Sequence, residues 1–334
     1  MTDIAHDRGA PLPSPGAHGG DGAALGRALG VPTSEIIDLS ASLNPFAPPV
    51  AAMAAALLHR EPDTLRAYPD AGPATAALAK AMNVDPTRLV LTNGGAEAIA
   101  LLAGLAPVGW VEDPEFSLYR RHLAEVRPGT ARWRSNPSNP LGRLAQPQDH
   151  AEVWDEAFYP LATGQWTRGE DHGWRLGSLT KLWACPGLRA GYLIAPDAHQ
   201  AQQIRSRQPR WSVNGLALAM MEPLLALTDL PGWHAAMVNA RSAFGAALRR
   251  LGFDVTETEA TWLLVSDPHG DLRARLAAHR LLVRDTTNFG LPGLIRVALP
   301  EPARIELAVA AFTEVSNPAS PGRDAKPGAT AVTG

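Results

Sequence analysis

Lysine is scarce in this chain, and that scarcity makes each lysine informative. Of the 30 lysine and arginine residues, only Lys80, Lys181 and Lys326 are lysines, and the other 27 are arginines. Where only a positive charge is needed, arginine serves, but a guanidinium cannot replace a primary amine in amine chemistry. Lys181 is the candidate for such chemistry, because it lies between a predicted strand and a Pro-Gly-Leu-Arg turn.

Other absences exclude whole classes of protein. The single cysteine, Cys185, cannot form an internal disulfide, and the ten histidines show no metal-ligand spacing, so no metal site is predicted. A net charge of −3 gives no support to a nucleic-acid partner. No apolar run approaches the roughly 18 residues that predict a membrane span, and the N-terminus lacks the pattern of a secretory signal. We therefore expect a cytoplasmic protein without nucleic-acid or membrane partners.

Length and apolar patterning predict an α/β chain of two domains. At roughly 150 residues per domain, 334 residues suggest about two. Up to residue 213, short strand-like runs alternate with helical patterns, which favours a mainly parallel sheet. A long helical stretch over about 215–250 then leads into a smaller α+β domain. Strands are predicted near 88–91, 108–111, 131–134, 152–154, 174–176, 191–194, 254–255, 262–265, 281–283 and 295–298, and helices near 96–105, 117–126, 271–279 and from 301 onward.

The segment 177–192 has the composition of a catalytic lysine site. Lys181 follows a strand, the hydroxyl residues Ser178 and Thr180 precede it, and Arg189 comes eight residues later. An amine nucleophile has to be desolvated or placed near other cations, and lysine can form an imine with an aldehyde cofactor. The two hydroxyls and the arginine have the chemistry to hold an anion such as phosphate. A lone lysine is more often a solvated loop residue, so the segment alone leaves both interpretations open.

Two further segments favour the catalytic interpretation. Asp155 ends a predicted strand, where a carboxylate can pair with a protonated ring nitrogen. Asn93-Gly94-Gly95 lies at a strand-to-helix junction, which is a natural phosphate cradle. Taken singly, the first is also typical of a capping or surface acid and the second of an ordinary turn.

In this order and at these spacings, the segments resemble the fold-type I enzymes that use pyridoxal 5'-phosphate (PLP), the class I and II aminotransferase superfamily. Within it, the chain is similar to the threonine-phosphate decarboxylase and histidinol-phosphate aminotransferase branch of cobalamin and histidine synthesis. The resemblance covers about residues 18–315. Its motifs are His18-Gly19-Gly20-Asp21, Asp38-Leu39-Ser40-Ala41-Ser42-Leu43-Asn44-Pro45, Tyr68-Pro69-Asp70, Asn93-Gly94-Gly95-Ala96-Glu97, Asn139-Pro140-Leu141-Gly142, Asp155-Glu156-Ala157-Phe158, the segment 177–192, Trp211-Ser212-Val213-Asn214 and Arg296-Val297-Ala298.

The resemblance implies a fold and a division into domains. The fold is α/β, with a large domain built on a mainly parallel, seven-stranded sheet and a smaller α+β domain. The division comprises a flexible N-terminus (1–17), an N-terminal segment of the small domain (18–45), the large PLP-binding domain (46–213), the C-terminal small domain (214–315) and a disordered tail (316–334).

The resemblance also implies roles for individual residues. Lys181 would form the imine link with PLP and then move protons. The ring would be held by Asp155 at its nitrogen, Asn139 at its 3'-oxygen and Phe116 on its face. The cofactor phosphate would be held by the backbone N–H groups of Gly95 and Ala96, by Ser178 and Arg189, and by Tyr68 of the neighbouring subunit in a homodimer with shared sites. Arg284 and Arg296 would grip the anionic groups of the substrate, with His18 and Asn44 as further substrate-binding candidates.

The implied activity is that of a PLP-dependent decarboxylase or aminotransferase acting on a small phosphorylated amino acid. His18-Gly19-Gly20, Phe158 and the segment 211–214 favour threonine-phosphate decarboxylation in cobalamin biosynthesis. A histidinol-phosphate-type or other amino-acid aminotransferase is the alternative, and a PLP-binding protein with little activity is a third. The S-x-x-K pattern at Ser178 would suggest a serine acyl-enzyme, but the S-D-N and K-T-G segments of that family do not occur.

The chain departs from the family pattern before Asp155. Only residues 143–154 separate the Asn139-Pro140 turn from this aspartate, where the family usually has a helix and a strand. Because a parallel crossover normally needs a dozen or more residues with a helix, we expect one covering helix to be missing.

Overall fold

A computed structural model describes residues 14, 18–169 and 172–316. The expected flexible N-terminus (1–17) and tail (316–334) lie outside these residues, apart from Ser14 and Ser316. Ser316 belongs to the final helix rather than to a tail, because it is the last helical residue.

Twelve strands occur in the described residues and form two sheets. In chain order they are β1 (Ile37–Leu39), β2 (Leu89–Asn93), β3 (Val108–Val111), β4 (Glu125–Val126), β5 (Arg132–Ser135), β6 (Val153–Asp155), β7 (Trp174–Ser178), β8 (Ala190–Ile194), β9 (Val255–Glu257), β10 (Trp262–Ser266), β11 (Leu281–Asp285) and β12 (Leu294–Ala298).

Helices connect and cover these strands. The α-helices are α1 (Gly22–Leu29), α2 (Val50–Arg60), α3 (Gly72–Met82), α4 (Gly94–Leu105), α5 (Ser117–His122), α6 (Tyr159–Thr163), α7 (Leu179–Leu182), α8 (Ala198–Arg207), α9 (Gly215–Ala219), α10 (Met221–Ala226), α11 (Leu230–Arg250), α12 (Leu272–Ala278) and α13 (Ile305–Ser316). Short 3₁₀ turns cover Thr33–Glu35, Pro62–Leu65, Pro186–Leu188, Thr287–Phe289 and Pro302–Arg304.

The larger sheet has seven strands in the order β2-β8-β7-β6-β5-β3-β4, which confirms the predicted fold class. β8 pairs antiparallel with both of its neighbours, and all other pairs are parallel. The parallel strands β5, β6 and β7 therefore end at one edge, with Ser135, Asp155 and Ser178 as their last residues. This carboxyl edge is where open α/β sheets bind ligands.

The smaller sheet has the order β1-β11-β12-β10-β9. β1 pairs parallel with β11, and the remaining pairs are antiparallel. A strand from the N-terminal segment thus completes a sheet that is otherwise built from residues 255–298. This pairing supports the placing of 18–45 with the small domain, and the domain boundaries themselves stay a proposal.

One hydrophobic core connects the two sheets. Leu91 of β2 and Ile194 of β8 belong to the same cluster of buried side chains as Leu263 of β10 and Ile295 of β12. Because packing is continuous from one sheet to the other, residues of both can be held against a shared cavity.

The connection between β5 and β6 contains no helix, as the sequence predicted for this shortened segment. Residues 136–152 form an irregular loop that bonds to the small sheet's hairpin instead. The Trp262 indole N–H donates to the Pro140 carbonyl at 2.9 Å, and the Leu144 N–H donates to the Glu259 carboxylate at 2.7 Å. The hairpin therefore supplies hydrogen-bond partners for backbone groups of the loop, in place of the covering helix that this segment lacks.

Two helix predictions are wrong in their extent. The helix predicted over 117–126 ends at His122, because residues 125–126 pair with β3 as β4. The stretch predicted over 215–250 consists of α9, α10 and α11. Asp229 starts α11 anew, since its carboxylate accepts the N–H of Gly232 at 3.0 Å.

Candidate active site

Lys181 lies one turn beyond the carboxyl edge of the large sheet. β7 ends at Ser178 and leads directly into the single-turn helix α7, which carries this lysine. Its Nζ lies 5.8 Å from the centre of the Phe158 ring. Desolvation, then Arg296 and Arg189, lower the pKa of Lys181 to about 8, while Asp155 and Asp38 oppose the shift. A larger share of the amine is therefore neutral near pH 8 than for a solvated lysine.

Asp155 is a buried carboxylate at the end of β6. The hydroxyl of Tyr119 donates to its Oδ2 at 2.8 Å, and the N–H of Ala157 donates to its Oδ1 at 3.0 Å. Burial raises the pKa of Asp155, and these two hydrogen bonds and Lys181 oppose the rise. The two hydrogen bonds hold the Asp155 carboxylate in a fixed orientation.

An anion cradle forms where α4 begins. Gly95 and Ala96 of its first turn line the same cavity as Ser178, Thr180 and Arg189. The Ser178 and Thr180 hydroxyls are 2.5 Å apart. Backbone N–H groups at a helix N-terminus, two hydroxyls and a guanidinium together suit a phosphate.

Glycine is required where the cradle's backbone elements approach. A Cβ on Gly191 of β8 would lie 2.5 Å from the carbonyl carbon of Gly94, and a Cβ on Gly94 would collide with the Arg189 guanidinium. Gly94 also has φ +76°, a conformation that side chains other than glycine rarely adopt.

Arg296 connects the small sheet to the cavity. It projects from β12, and its guanidinium donates to the Asn139 side-chain oxygen at 2.7 Å and to the Ser40 carbonyl at 3.3 Å. It also lies over the Trp262 ring, 4.9 Å from its centre. Burial, and then the neighbouring Arg284, lower the pKa of Arg296 to about 9. The cost of burying this cation favours an anionic partner in the cavity.

Arg284, Phe116 and His18 line the same cavity. Arg284 is buried in β11, and its guanidinium donates to the Asn288 side chain at 3.0 Å. The His18 ring centre lies 5.7 Å from that of Phe116. Burial, followed by Arg284, Arg121 and Lys181, lowers the pKa of His18, so the imidazole favours its neutral form.

The structure gathers most of the predicted site residues around one cavity of about 310 Å³. The predicted residues in its lining are His18, Gly95, Ala96, Phe116, Asn139, Asp155, Ser178, Lys181, Arg189, Arg284 and Arg296.

Two predicted site residues, Asn44 and Tyr68, lie outside the cavity lining. The Asn44 side chain donates to the Leu182 carbonyl at 2.9 Å, and its N–H donates to the Lys181 carbonyl at 3.0 Å. Asn44 therefore anchors α7, and its contact with a substrate stays a prediction. Tyr68 is 79% exposed and stacks on Trp211, with ring centres 4.4 Å apart. A contact of Tyr68 with a second subunit stays a prediction.

Among the residues of the cavity wall that sequence reasoning missed are Tyr119, Ser135 and Phe289. Tyr119 had no local signal, because its place in the site depends on the Asp155 carboxylate that β6 supplies. Ser135 and Phe289 had none, since their place depends on strand pairing and on a 3₁₀ turn of the small domain.

Within the described ranges, no helix combines the length and apolar character of a membrane span. Nor do the residues placed there include a group of three or more His, Cys, Asp or Glu side chains that could hold a metal ion.

Several known proteins are similar to this chain in fold and in sequence. The family described as aminotransferase class I and II matches residues 133–312. A threonine-phosphate decarboxylase of Salmonella typhimurium is 30% identical over 356 residues, covering 90% of this chain and 96% of that protein. Histidinol-phosphate aminotransferase 1 of Dechloromonas aromatica is 26% identical over 335 residues, covering 84% and 91%. The crystal structure of histidinol-phosphate aminotransferase from Sinorhizobium meliloti in complex with PLP superposes with a TM-score of 0.73, at 19% identity, over 94% of this chain and 98% of that one.

The sheet order and fold are those of the fold-type I PLP enzymes, as the sequence predicted. The chain belongs to the class I and II aminotransferase family. Its cofactor is therefore PLP.

The residues of the cavity fit that cofactor. A primary amine with a lowered pKa suits its aldehyde, a buried carboxylate suits its protonated ring nitrogen, and the cradle at α4 suits its phosphate. Each of these three groups lies in the wall of the same cavity.

Proposed function

We propose that the chain acts on a small amino acid that carries a phosphate group, and that its reaction is threonine-phosphate decarboxylation in cobalamin biosynthesis. The observation that carries this proposal is the pair of buried arginines, Arg284 and Arg296, in the wall of the same cavity as the cofactor cradle. A substrate with two anionic groups, a carboxylate and a phosphate, matches two buried guanidinium groups. The similarity to the threonine-phosphate decarboxylase of Salmonella typhimurium supports the same substrate class.

Six groups would hold the cofactor in this proposal. Asp155 would keep the ring nitrogen protonated, Asn139 would donate to the ring oxygen and Phe116 would stack on the ring face. The α4 N-terminus, through Gly95 and Ala96, would hold the phosphate together with Ser178 and Arg189. Each of these side chains or N–H groups lines the cavity.

Lys181 is the residue proposed to do the chemistry. When bound, PLP withdraws electrons from the bond at the substrate Cα that stands perpendicular to its ring. Lys181 Nζ would hold the cofactor through its aldehyde carbon and would deliver or remove a proton at the substrate Cα. Its lowered pKa suits both tasks, because the amine can be neutral or protonated near neutral pH.

Arg296 would orient the substrate. Asn139 and the Ser40 carbonyl hold its guanidinium, so an anion bound to it would be held in a fixed direction. Binding of the substrate phosphate there would leave the carboxylate free for decarboxylation. Binding of the carboxylate there would instead favour loss of the Cα proton and transamination.

Product analysis tests this proposal. The purified protein, incubated with PLP and L-threonine O-3-phosphate, is expected to release CO₂ stoichiometrically with a phosphorylated amino alcohol. Formation of a keto product from this substrate without CO₂ would overturn the decarboxylase assignment.

The second candidate is a histidinol-phosphate-type aminotransferase. Its support is the similarity to histidinol-phosphate aminotransferase 1 of Dechloromonas aromatica over 84% of the chain. Histidinol phosphate with 2-oxoglutarate as amino acceptor would then give glutamate. If the protein turns over neither substrate, the third hypothesis is favoured, that of a PLP-binding protein with little activity.

We also propose a homodimer in which Tyr68 reaches the neighbouring subunit's cofactor phosphate. Tyr68 is far more exposed than a tyrosine with an internal role, and Trp211, itself 54% exposed, stacks on it. An exposed aromatic pair of this kind is typical of an interface.

A further inference from the structure

Glu115 is a buried carboxyl group to which the proposed reaction gives no role. It directly precedes Phe116 and is 8% exposed. Its Oε1 accepts the N–H of Ser135 at 2.9 Å. Its Oε2 accepts the Ser135 hydroxyl at 2.6 Å and the N–H of Phe116 at 3.0 Å. All three partners donate, so an ionised carboxylate satisfies every one of them.

Ser135 extends this contact into the cavity wall. Its hydroxyl oxygen accepts the N–H of Asn139 at 2.8 Å. Asn139 in turn accepts from the Arg296 guanidinium at 2.7 Å. A continuous chain of hydrogen bonds therefore runs from Glu115 to a proposed ring-binding residue and on to a proposed substrate-binding residue.

The titratable groups that face Glu115 are Tyr119 from α5 and Asp155 from β6. The Tyr119 hydroxyl donates to Asp155 at 2.8 Å and the Ser135 hydroxyl donates to Glu115 at 2.6 Å, so each of the two buried carboxyl groups has its own hydroxyl partner. Burial raises the pKa of Glu115 to about 7, with a further rise from Asp155, while the bonds from Ser135 and Phe116 oppose it. Both protonation states of Glu115 are thus accessible near neutral pH.

We propose that Glu115 is a positioning residue for the cofactor ring: its ionised carboxylate fixes Ser135, and through Ser135 it fixes Asn139, while the same carboxylate fixes the backbone at Phe116. One side chain thereby sets both the group that stacks on the ring and the group that bonds to its oxygen. This inference rests on the proposed function, which gives Phe116 and Asn139 to the ring.

The geometry distinguishes a carboxylate from an amide at this position. In Glu115→Gln, the amide nitrogen has to occupy the place of either Oε1 or Oε2. In the first place it meets the N–H of Ser135, and in the second it meets the N–H of Phe116. In either orientation the amide N–H₂ group faces a buried N–H group, and two donors cannot form a hydrogen bond with each other. One buried hydrogen bond is therefore lost. Protonation of Glu115 likewise turns one acceptor into a donor.

Binding of pyridoxamine 5'-phosphate to the apo-protein tests the proposal, because this probe carries an amine and cannot link to Lys181. Quenching of tryptophan fluorescence would give its Kd between pH 5.5 and 8.5. We expect Glu115→Gln to raise the Kd about tenfold at pH 8. We also expect wild-type affinity to rise through about pH 7 relative to the variant, as Glu115 ionises.

Two further variants separate positioning from general loss of a buried charge. Glu156→Gln makes the same change in another buried carboxyl group, which accepts the N–H of Arg168 and also interacts with Thr167 and Arg175, and Glu156 does not line the cavity. It is expected to change the Kd less than twofold. Ser135→Ala is expected to raise the Kd severalfold, and the double variant Glu115→Gln/Ser135→Ala to do no more than the stronger single change.

The outcomes separate the inference from the proposed function. A wild-type protein that fails to bind the probe would contradict the proposed function. Wild-type binding together with an unchanged Kd and pH profile in Glu115→Gln would overturn the positioning role. If Glu115→Gln does not fold, Ser135→Ala decides, since wild-type affinity in that variant would equally overturn it.

Discussion

Neighbouring arginines contribute to the lowered pKa of Lys181. Arg296 and Arg189 add to desolvation in lowering the pKa of Lys181 to about 8, while Asp155 and Asp38 act against them. Arg296 is the larger of the two cationic contributions. The residue that is proposed to grip the substrate therefore also helps to keep the lysine reactive.

Acetylation of the apo-protein by trace acetic anhydride measures this effect. We expect the labelling rate of Lys181, corrected for that of a free amine, to rise with pH to a midpoint at about 8. In Arg296→Gln the midpoint should move to higher pH, because the lowering charge is removed. Exposed Lys80 is the internal control. An unchanged midpoint in the variant would contradict the cationic contribution.

The two hydrogen bonds of Arg296 predict that lysine cannot replace it. Arg296→Lys keeps a positive charge but loses the fork that reaches Asn139 and the Ser40 carbonyl together. We expect KM for the substrate to rise about tenfold or more, from the loss of a charge-assisted hydrogen bond. Arg60→Lys on the exposed end of α2 is the control, and equal KM values in the two variants would argue against this role.

Among the elements, the loop 136–152 shows how the site survives without a helix between β5 and β6. The loop carries Asn139, and its backbone is tied to the β9–β10 hairpin through Glu259 and Trp262. The small domain therefore holds one of the proposed ring-binding residues in place. In this chain, domain packing substitutes for local secondary structure.

Hydrogen exchange tests whether the hairpin holds the loop in place. Glu259→Ala removes the acceptor of the Leu144 N–H, so exchange in peptides covering 140–146 should become faster by about tenfold, with little change elsewhere. Glu257→Ala is the matched control. Glu257 lies on the same hairpin, and this change breaks only its exposed ion pair with Arg249 of α11. Equal exchange at 140–146 in both variants would show that the hairpin does not hold the loop.

Sequence predicted the elements whose signals are local. The apolar strands near Leu89 and Ala190, the glycine turn before α4 and the lysine after β7 all follow from short stretches of sequence. The end of α5 could not be predicted in this way, because residues 125–126 form a strand only through their pairing with β3. Glu115 and Tyr119 were also missed, since nothing in the chain marks the buried partners that β5 and β6 provide.

For the whole molecule, the proposed homodimer has a functional consequence. Tyr68 lies outside its own chain's cavity, so in this proposal it serves only the neighbouring one. Each site would then need Lys181 from one subunit and Tyr68 from the other. A shared site of this kind follows the two-fold symmetry of most homodimers.

Mixed dimers measure that sharing. Tyr68→Ala and Lys181→Ala homodimers are both expected to be nearly inactive. Refolding or co-expressing the two variants together should restore about a quarter of wild-type activity, because half of the dimers are mixed and one of their two sites is intact. A mixture no more active than its separate components would contradict the shared site.

The proposed chemistry of the whole molecule depends on a covalent link between Lys181 and PLP, and one spectroscopic measurement tests this link most directly. Purified wild-type protein incubated with PLP is expected to show a visible absorption band that borohydride abolishes, with the reduced cofactor found on the peptide containing Lys181. Lys181→Ala should show neither the band nor the labelled peptide. A wild-type protein that stays colourless with PLP, or a label on Lys80 instead, would contradict the central claim.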